Sequence, residues 1–507
     1  MHRIKKQFFV LLVVISIVIT GCGSVKALEI NDVAQMQNKT ADIMRTSISE
    51  NPVKETRTPS EKHPATLWVV TEETTYDGMN AELKRIAEAF HAVHSNVEIR
   101  LDILPNEESE RAIILEKIRA KIAEGNGPDV FLLPTRDILT LDHPKQYSYK
   151  RIEMLFPNVD MAMRRGVFLD IHEYYDRAAL QLEGLNNAVM DAGIVGNSRF
   201  VLPIRYNLPV IYSFDDEVKS LGLDPTDMDK PIDEWMKKVL ELGEPKLSYS
   251  AEYRSLLALG PTFDYDNKTL QIEDNDVLAF LKDFQMLEKL IGSEKDHRNR
   301  AWLSNYLNGT LKHYPAQLSQ LDSAMTFAAK AKLEGKQLSM HPVKSTSGEV
   351  VATISYYGAV GSCTKNPDLA VEFLLQFLSE ESQWEQNRYP SHSEQYPGLW
   401  EQSWPVRTAF CIAKLWEAQK YQATMLNYGV SSQTVSNDLN EIALTDEDVP
   451  IISAHIDRAC FGLRGKNTFD AYWPALNDSS KNGAPTDVNL KDFAHTIIEN
   501  LKEELNA

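Results

Sequence analysis

Three apolar runs separated by two amphipathic stretches, between Leu67 and Leu133, restrict this chain to very few architectures. Leu67-Trp68-Val69-Val70 is continuously apolar, the pattern of a strand buried on both faces. A polar turn follows, and then Met79, Leu83, Ile86, Phe90 and Val93 recur at helical spacing as one stripe. Val97, Ile99, Leu101 and Ile103 alternate as a strand. Residues 107–124 read as a second helix, with Ile114, Leu115, Ile118 and Ile122 inward and Gly125 as its stop. Val130-Phe-Leu-Leu133 is another doubly buried strand. This order predicts parallel strands with crossover helices, because parallel neighbours cannot be joined by hairpins. This half of the chain is α/β.

Sheets of this kind receive ligands beyond the carboxyl ends of their strands. Here those ends hold Glu72, Glu73, Thr74, Tyr76 and Asp77 after the first strand, and Thr135, Arg136 and Asp137 after the third. Each residue alone has an ordinary explanation: loops are polar, and Asp77 can cap the helix that follows. The cluster as a whole points to a site.

The amino terminus gives the chain an address. Arg3, Lys5 and Lys6 precede an apolar stretch that ends in Ile19-Thr20-Gly21-Cys22. About a dozen apolar residues are short for a bilayer span, which needs ~20, and fit a cleavable export signal. The small residues followed at once by cysteine resemble a bacterial lipobox. That resemblance implies removal of residues 1–21 and a diacylglycerol-modified Cys22. Residues 22–63 are polar, proline-punctuated and without hydrophobic period, a flexible tether reaching about 35 Å on average.

Composition narrows the partners. At 507 residues the chain is too long for one ordinary domain. Its 53 Lys+Arg against 72 Asp+Glu leave a net charge of −19, which argues against nucleic acid. Four cysteines make no disulfide framework. Catalysis has no positive signal: there is no Gly-x-Ser-x-Gly elbow, no His-Glu-x-x-His and no phosphate-binding glycine loop. His91 and His94 fall on the outer side of the first helix. Asp264-Tyr-Asp266-Asn267 hints at a calcium loop, but Thr269 and Asn275 stand where glycine and glutamate are needed. It reads as a turn between strands. No metal and no cofactor are expected.

Five ordered stretches then resemble one family. They are Thr66-Leu-Trp68 with the helix through Phe90; Gly125-Asn-Gly-Pro128-Asp129-Val130; Arg165-Gly-Val-Phe168-Leu-Asp170 with Phe200-Val-Leu-Pro203-Ile-Arg205-Tyr206-Asn207; Tyr306-Leu-Asn-Gly309; and Gly358-Ala-Val-Gly361-Ser362 through Asn366-Pro367. Trp404-Pro405-Val406-Arg407 is similar to a late turn of the same family. The chain resembles the carbohydrate-binding, maltose-binding-like extracellular solute-binding proteins of ATP-binding-cassette importers. Phe200 to Pro203 departs from the pattern by lacking the usual glycine, and residues 138–164 look inserted.

The resemblance implies a two-lobed periplasmic-binding-protein-like fold with a hinge and an interlobe ligand cleft. One lobe would be 64–205 with 352–385, the other 206–351 with 386–507. It implies a monomer that captures a carbohydrate, an oligosaccharide by preference, and delivers it to a permease in the membrane. Sugars offer C–H faces to aromatic rings and hydroxyls to carboxylates, amides and guanidinium groups. On that chemistry the ligand-binding candidates are Glu73, Tyr76, Asp77, Arg136, Arg205, Tyr206, Asn207, Trp302, Tyr357, Trp404 and Arg407. Trp68, Trp235 and Trp416 sit in periodic segments and read as core. The alternatives are a surface carbohydrate-degrading enzyme, and a protein of the same fold taking a non-sugar ligand or serving a sensor.

Overall fold

The computed structural model describes residues 65–72, 78–135, 140–141, 149–150, 153–178, 182–220, 222–243, 259–292, 313–317, 321–385, 404–407, 442–449, 455–461 and 487–506. The chain divides into two compact units, Met1–Pro64 with Val93–Ser95, and Ala65–Ala92 with Asn96–Ala507. The fold described below is that of the second.

The expected opening is present. β1 (Ala65–Glu72), α1 (Gly78–Val93), β2 (Val97–Leu104), α2 (Glu108–Ala123) and β3 (Val130–Pro134) follow in order. β1 pairs in parallel with both β2 and β3. Leu67, Val69 and Val70 are fully buried, as a strand covered on both faces requires. α2 ends where predicted, with the Gly125 N–H returning to the Ile122 carbonyl at a φ of 73°. Two inward assignments are corrected. Val93 is 43% exposed in the last turn of α1, and Ile103 is 40% exposed on β2, which closes one side of the sheet. The buried face of α2 carries Arg111, Leu115 and Ile118, while Ile114 and Ile122 are only half-buried.

Beyond β3 the sheet ceases to be parallel. α3 (Val159–Arg164), β4 (Val201–Asn207) and β5 (Pro209–Phe214) come next. α4 (Ile232–Leu242), the hairpin β6 (Phe263–Asp264) and β7 (Thr269–Leu270), and α5 (Asp274–Gly292) follow. Further on are β8 (His313–Gln317), α6 (Leu321–Glu334), β9 (Leu338–Pro342), β10 (Val351–Val360), α7 (Pro367–Leu375), β11 (Trp404–Pro405), β12 (Arg458–Phe461) and α8 (Asp487–Asn506). β10 runs antiparallel between β3 and β4, β11 flanks β4, and β12 lies parallel to the start of β10. The seven-stranded sheet is therefore mixed, in the order β11-β4-β10-β3-β1-β2 with β12 beside β10.

β5 is the centre of a second sheet, with β8 and β9 antiparallel on either side. The chain passes from the first sheet to the second through Leu208 and returns between β9 and β10. Alternate residues of β5 divide two hydrophobic cores. Val210 and Phe214 join the first, which fills the larger sheet and reaches Met325, Ala328 and Ala329 of α6. Ile211 joins the second, built from α4, α5 and α8 around Trp235, Phe280, Phe284 and Ile497. Trp235 is core, as its periodic setting implied. Among the described residues, both cores are made only from positions after Pro64.

The segment read as a turn rather than a calcium loop is a turn. Asp264 joins β6 and β7 by accepting hydrogen bonds from the Asn267 backbone N–H at 2.9 Å and its Nδ2 at 2.8 Å. Cys363 and Cys460 are free thiols, and burial pushes Cys460 up to about 11. Cys411 lies outside the described residues. His91 is exposed, with its Nδ1 2.9 Å from the Val97 carbonyl oxygen. Among the described residues no helix is long and apolar enough to cross a membrane.

Candidate functional site

The carboxyl ends of β1 and β3 meet the region where β4 and β10 leave the first sheet. Pro134, Tyr356, Arg205 and Pro405 lie in one row across β3, β10, β4 and β11. One step further along, Tyr206 lies between Trp404 and Ile354, and one step beyond that Thr353 faces Asn207. The β4–β10 register shifts between Ile354 and Tyr356, so Ser355 is an extra residue at this end of the sheet. Bulges of this kind re-aim side chains and increase local twist.

Thr135 fastens the bulge. Its N–H donates to the Ser355 carbonyl at 3.1 Å, and its hydroxyl donates to the Ile354 carbonyl. The Tyr356 hydroxyl crosses β3, donating to the Leu132 carbonyl at 3.1 Å with Thr71 Oγ1 at 3.0 Å. Burial holds this phenol well above the usual tyrosine range. Two acceptors among these groups are left without a partner: Asn207 Oδ1 and Ser355 Oγ are buried and make no hydrogen bond. An unsatisfied buried group costs about 1–3 kcal/mol, so both atoms are primed to take a donor.

Beneath this end of the sheet lies an ion pair that sequence reading missed. Arg111 Nη1 and Nη2 donate to the two carboxylate oxygens of Glu72 at 2.6 and 2.7 Å, with both side chains at most 1% exposed. Arg111 Nε donates to the Glu153 carbonyl at 2.6 Å, and Nη1 also reaches the Pro105 carbonyl at 3.1 Å. Burial pushes the Glu72 carboxyl above its ordinary value, and the Arg111 hydrogen bonds and charge oppose that rise. The available signal was Arg111 itself, four residues before Leu115 on the inward face of α2.

The candidates whose side chains are described divide into three groups. Arg205 and Asn207 are buried at 6% and 4% exposure where β4 leaves the first sheet. Tyr206 and Tyr357 are placed in the packed interior, where Tyr357 meets Phe461 edge-on at 5.8 Å. Their rings serve packing, not a free surface. Arg407 is held by backbone: Nε donates to the Leu378 carbonyl and Nη1 to the Glu183 carbonyl, each at 2.7 Å. Glu73, Tyr76, Asp77, Arg136 and Trp302, with Cys22, lie outside the described residues, and for Trp404 only the strand is described. Among the described residues no group of three His, Cys, Asp or Glu side chains is placed to hold a metal ion.

A parallel sheet completed by antiparallel strands, joined to a second sheet at Leu208 and again between β9 and β10, is the two-lobed fold of the periplasmic-binding-protein type. Solved structures carry the same likeness. A periplasmic oligogalacturonide-binding protein from Yersinia enterocolitica is similar at 13% identity over 87% of this chain and 100% of that one, with a TM-score of 0.50. A de novo designed cysteine esterase is similar at 14% identity over 88% of this chain and 99% of that one, with a TM-score of 0.51. A family 1 extracellular solute-binding protein from Alicyclobacillus acidocaldarius matches at 11% identity over 88% and 100%, with a TM-score of 0.47. No protein-family model and no curated protein matches the chain. At these identities the likeness is one of fold.

Proposed function

We propose that the protein is a lipid-anchored substrate-binding protein on the outer face of the bacterial membrane. It captures a carbohydrate, an oligosaccharide by preference, between its two lobes and hands it unchanged to the permease of an ATP-binding-cassette importer. The proposed lobes are 64–205 with 352–385, and 206–351 with 386–507, except that β11 and β12 pair within the first lobe's sheet. The observation that carries the reading is Asn207, a buried amide with an unpaired oxygen on the strand that connects the two sheets. A sugar hydroxyl is the kind of donor such an oxygen accepts. Glu73, Tyr76, Asp77, Arg136, Trp302 and Trp404 would complete the site, with rings against C–H faces and polar groups on hydroxyls. The oligogalacturonide-binding protein of similar fold supports the carbohydrate class.

The test is calorimetric titration of the purified protein with mono- and oligosaccharides, followed by assay of the recovered ligand. Saturable binding with intact sugar is the expected result, and Asn207→Ala raises Kd by about tenfold, the equivalent of one hydrogen bond. Cleaved sugar would make the protein an enzyme. Binding of peptides or polyamines but no sugar would replace the ligand class.

The anchor is tested separately. Cys22→Ser is expected to abolish incorporation of labelled fatty acid in a bacterial host. Equal labelling of variant and wild type would remove the lipoprotein reading.

A further inference from the structure

The two cores are joined by backbone where β4 runs into β5, where β9 leads back to β10, and again between β12 and α8. A further connection is made by side chains. α3 is seated on the first core through Val159, Ala162 and Met163. The β6–β7 hairpin is seated on the second, where Phe263 and Leu270 pack. Arg164, the last residue of α3, reaches the hairpin turn. Its Nη2 donates to Asp266 Oδ1 at 3.2 Å, and its guanidinium lies over the Tyr265 ring, 4.9 Å from the centroid.

Both sides of this contact are braced. On α3, Asp160 Oδ1 lies 3.8 Å from Arg164 Nη1, so the guanidinium stands between two carboxylates. Asn158 caps the helix by accepting the Met161 N–H at 2.9 Å. On the hairpin, Tyr265 packs against Phe263 at 5.1 Å, and Asp264 fixes the turn through Asn267. An exposed ion pair is worth little. This one is stacked on a ring, and Arg164 is only 24% exposed, conditions under which a cation–π contact strengthens.

We propose that Arg164, Tyr265 and Asp266 form a clasp that restrains separation of the two cores and thereby sets how readily the protein opens and closes on ligand. Rotation about two neighbouring strand connections needs only a few backbone torsions to change. A side-chain contact that bridges the two cores opposes that rotation. The restraint stands on the geometry alone, whereas its effect on ligand rests on the binding-protein reading.

Small-angle scattering decides the restraint without any ligand. The chain from Ala65 onward is suitable, since both described cores lie within it. Arg164→Ala and Asp266→Asn are each expected to increase the radius of gyration and the maximum dimension. The double variant should go no further than Arg164→Ala, because both changes break one contact. Asp266 is 82% exposed at its side chain, so its variant leaves the fold intact. Scattering curves superimposable on wild type for all three variants would overturn the clasp. With a sugar identified, Arg164→Ala raises Kd about three- to tenfold, since a more open population must be closed on binding. A changed curve with unchanged Kd would overturn the link to closure. Absence of any sugar binding would count against the proposed function while the scattering still decides the clasp.

Discussion

Arg111→Ala is expected to lower the free energy of unfolding by about 3–5 kcal/mol at pH 7, measured by urea denaturation. The size of the effect comes from what remains. Glu72 is fully buried and would lose the partner of both its oxygens, so it must either ionise unpaired or take up a proton. The Glu153 and Pro105 carbonyls would each lose a donor as well. Replacing both partners by methionine removes the stranded charge, and that double variant should recover most of the loss. The deficit also has a pH signature. Without Arg111, burial alone acts on Glu72, and its carboxyl holds a proton in the folded chain well above the unfolded value of 4.5. The variant therefore comes nearest to wild type at low pH, where Glu72 is protonated in both, and falls behind as pH rises past the wild-type carboxyl's own raised value. A deficit of less than about 1 kcal/mol, or one equal at pH 4 and pH 7, would show that the pair contributes no such term.

Gly361→Ala is expected to cost about 3 kcal/mol or more in thermal unfolding, because neither side of the contact can move cheaply. A Cβ on Gly361 would sit 2.1 Å from the Pro128 carbonyl oxygen, a backbone atom. The Gly361 N–H donates to the Asp129 carbonyl at 2.9 Å, and the next N–H, of Ser362, donates to the Val167 carbonyl at 3.0 Å. This glycine thus draws the end of β10 against the approach to β3. Gly358 offers the comparison. A Cβ there would also come within 2.1 Å of its neighbour, but that neighbour is Leu374 Cδ1, the end of a flexible side chain. Gly358→Ala should cost about 1–2 kcal/mol, and the reverse order of the two variants would refute the backbone explanation.

These two sites mark where sequence reading succeeded and where it stopped. Continuous apolar runs and helical stripes identified β1, α1, β2, α2 and β3, because a strand covered on both faces tolerates little else. They could not identify β10 as the strand between β3 and β4, since periodicity says how a segment is buried and not which segment lies beside it. The mixed sheet was hidden for that reason. Ile103 was assigned inward because alternation assumes a covered face, and β2 ends the sheet. Arg111 escaped because a charged residue within an apolar stripe reads as a break in it, whereas Glu72 makes it a core residue. Tyr357 and Arg407 show the complementary ambiguity: an aromatic or a guanidinium beside polar neighbours suits a sugar, a core or a backbone clamp equally well. Residue type alone cannot separate these. Asn207 stands apart because its unpaired oxygen is a property of the fold.

The position of β10 has a consequence for how the chain comes into being. The Tyr356 hydroxyl bonds a carbonyl 224 residues earlier, and β10 supplies the shared neighbour of β3 and β4. A chain emerging amino end first would expose one edge of β3 until more than two-thirds of its length had been made. Long-range pairing of this kind is intrinsically slow, because loop closure must precede the contacts that reward it. If the proposed export signal threads the chain unfolded through a channel, such delay is useful: the nascent polypeptide stays translocation-competent until its last partner strand arrives.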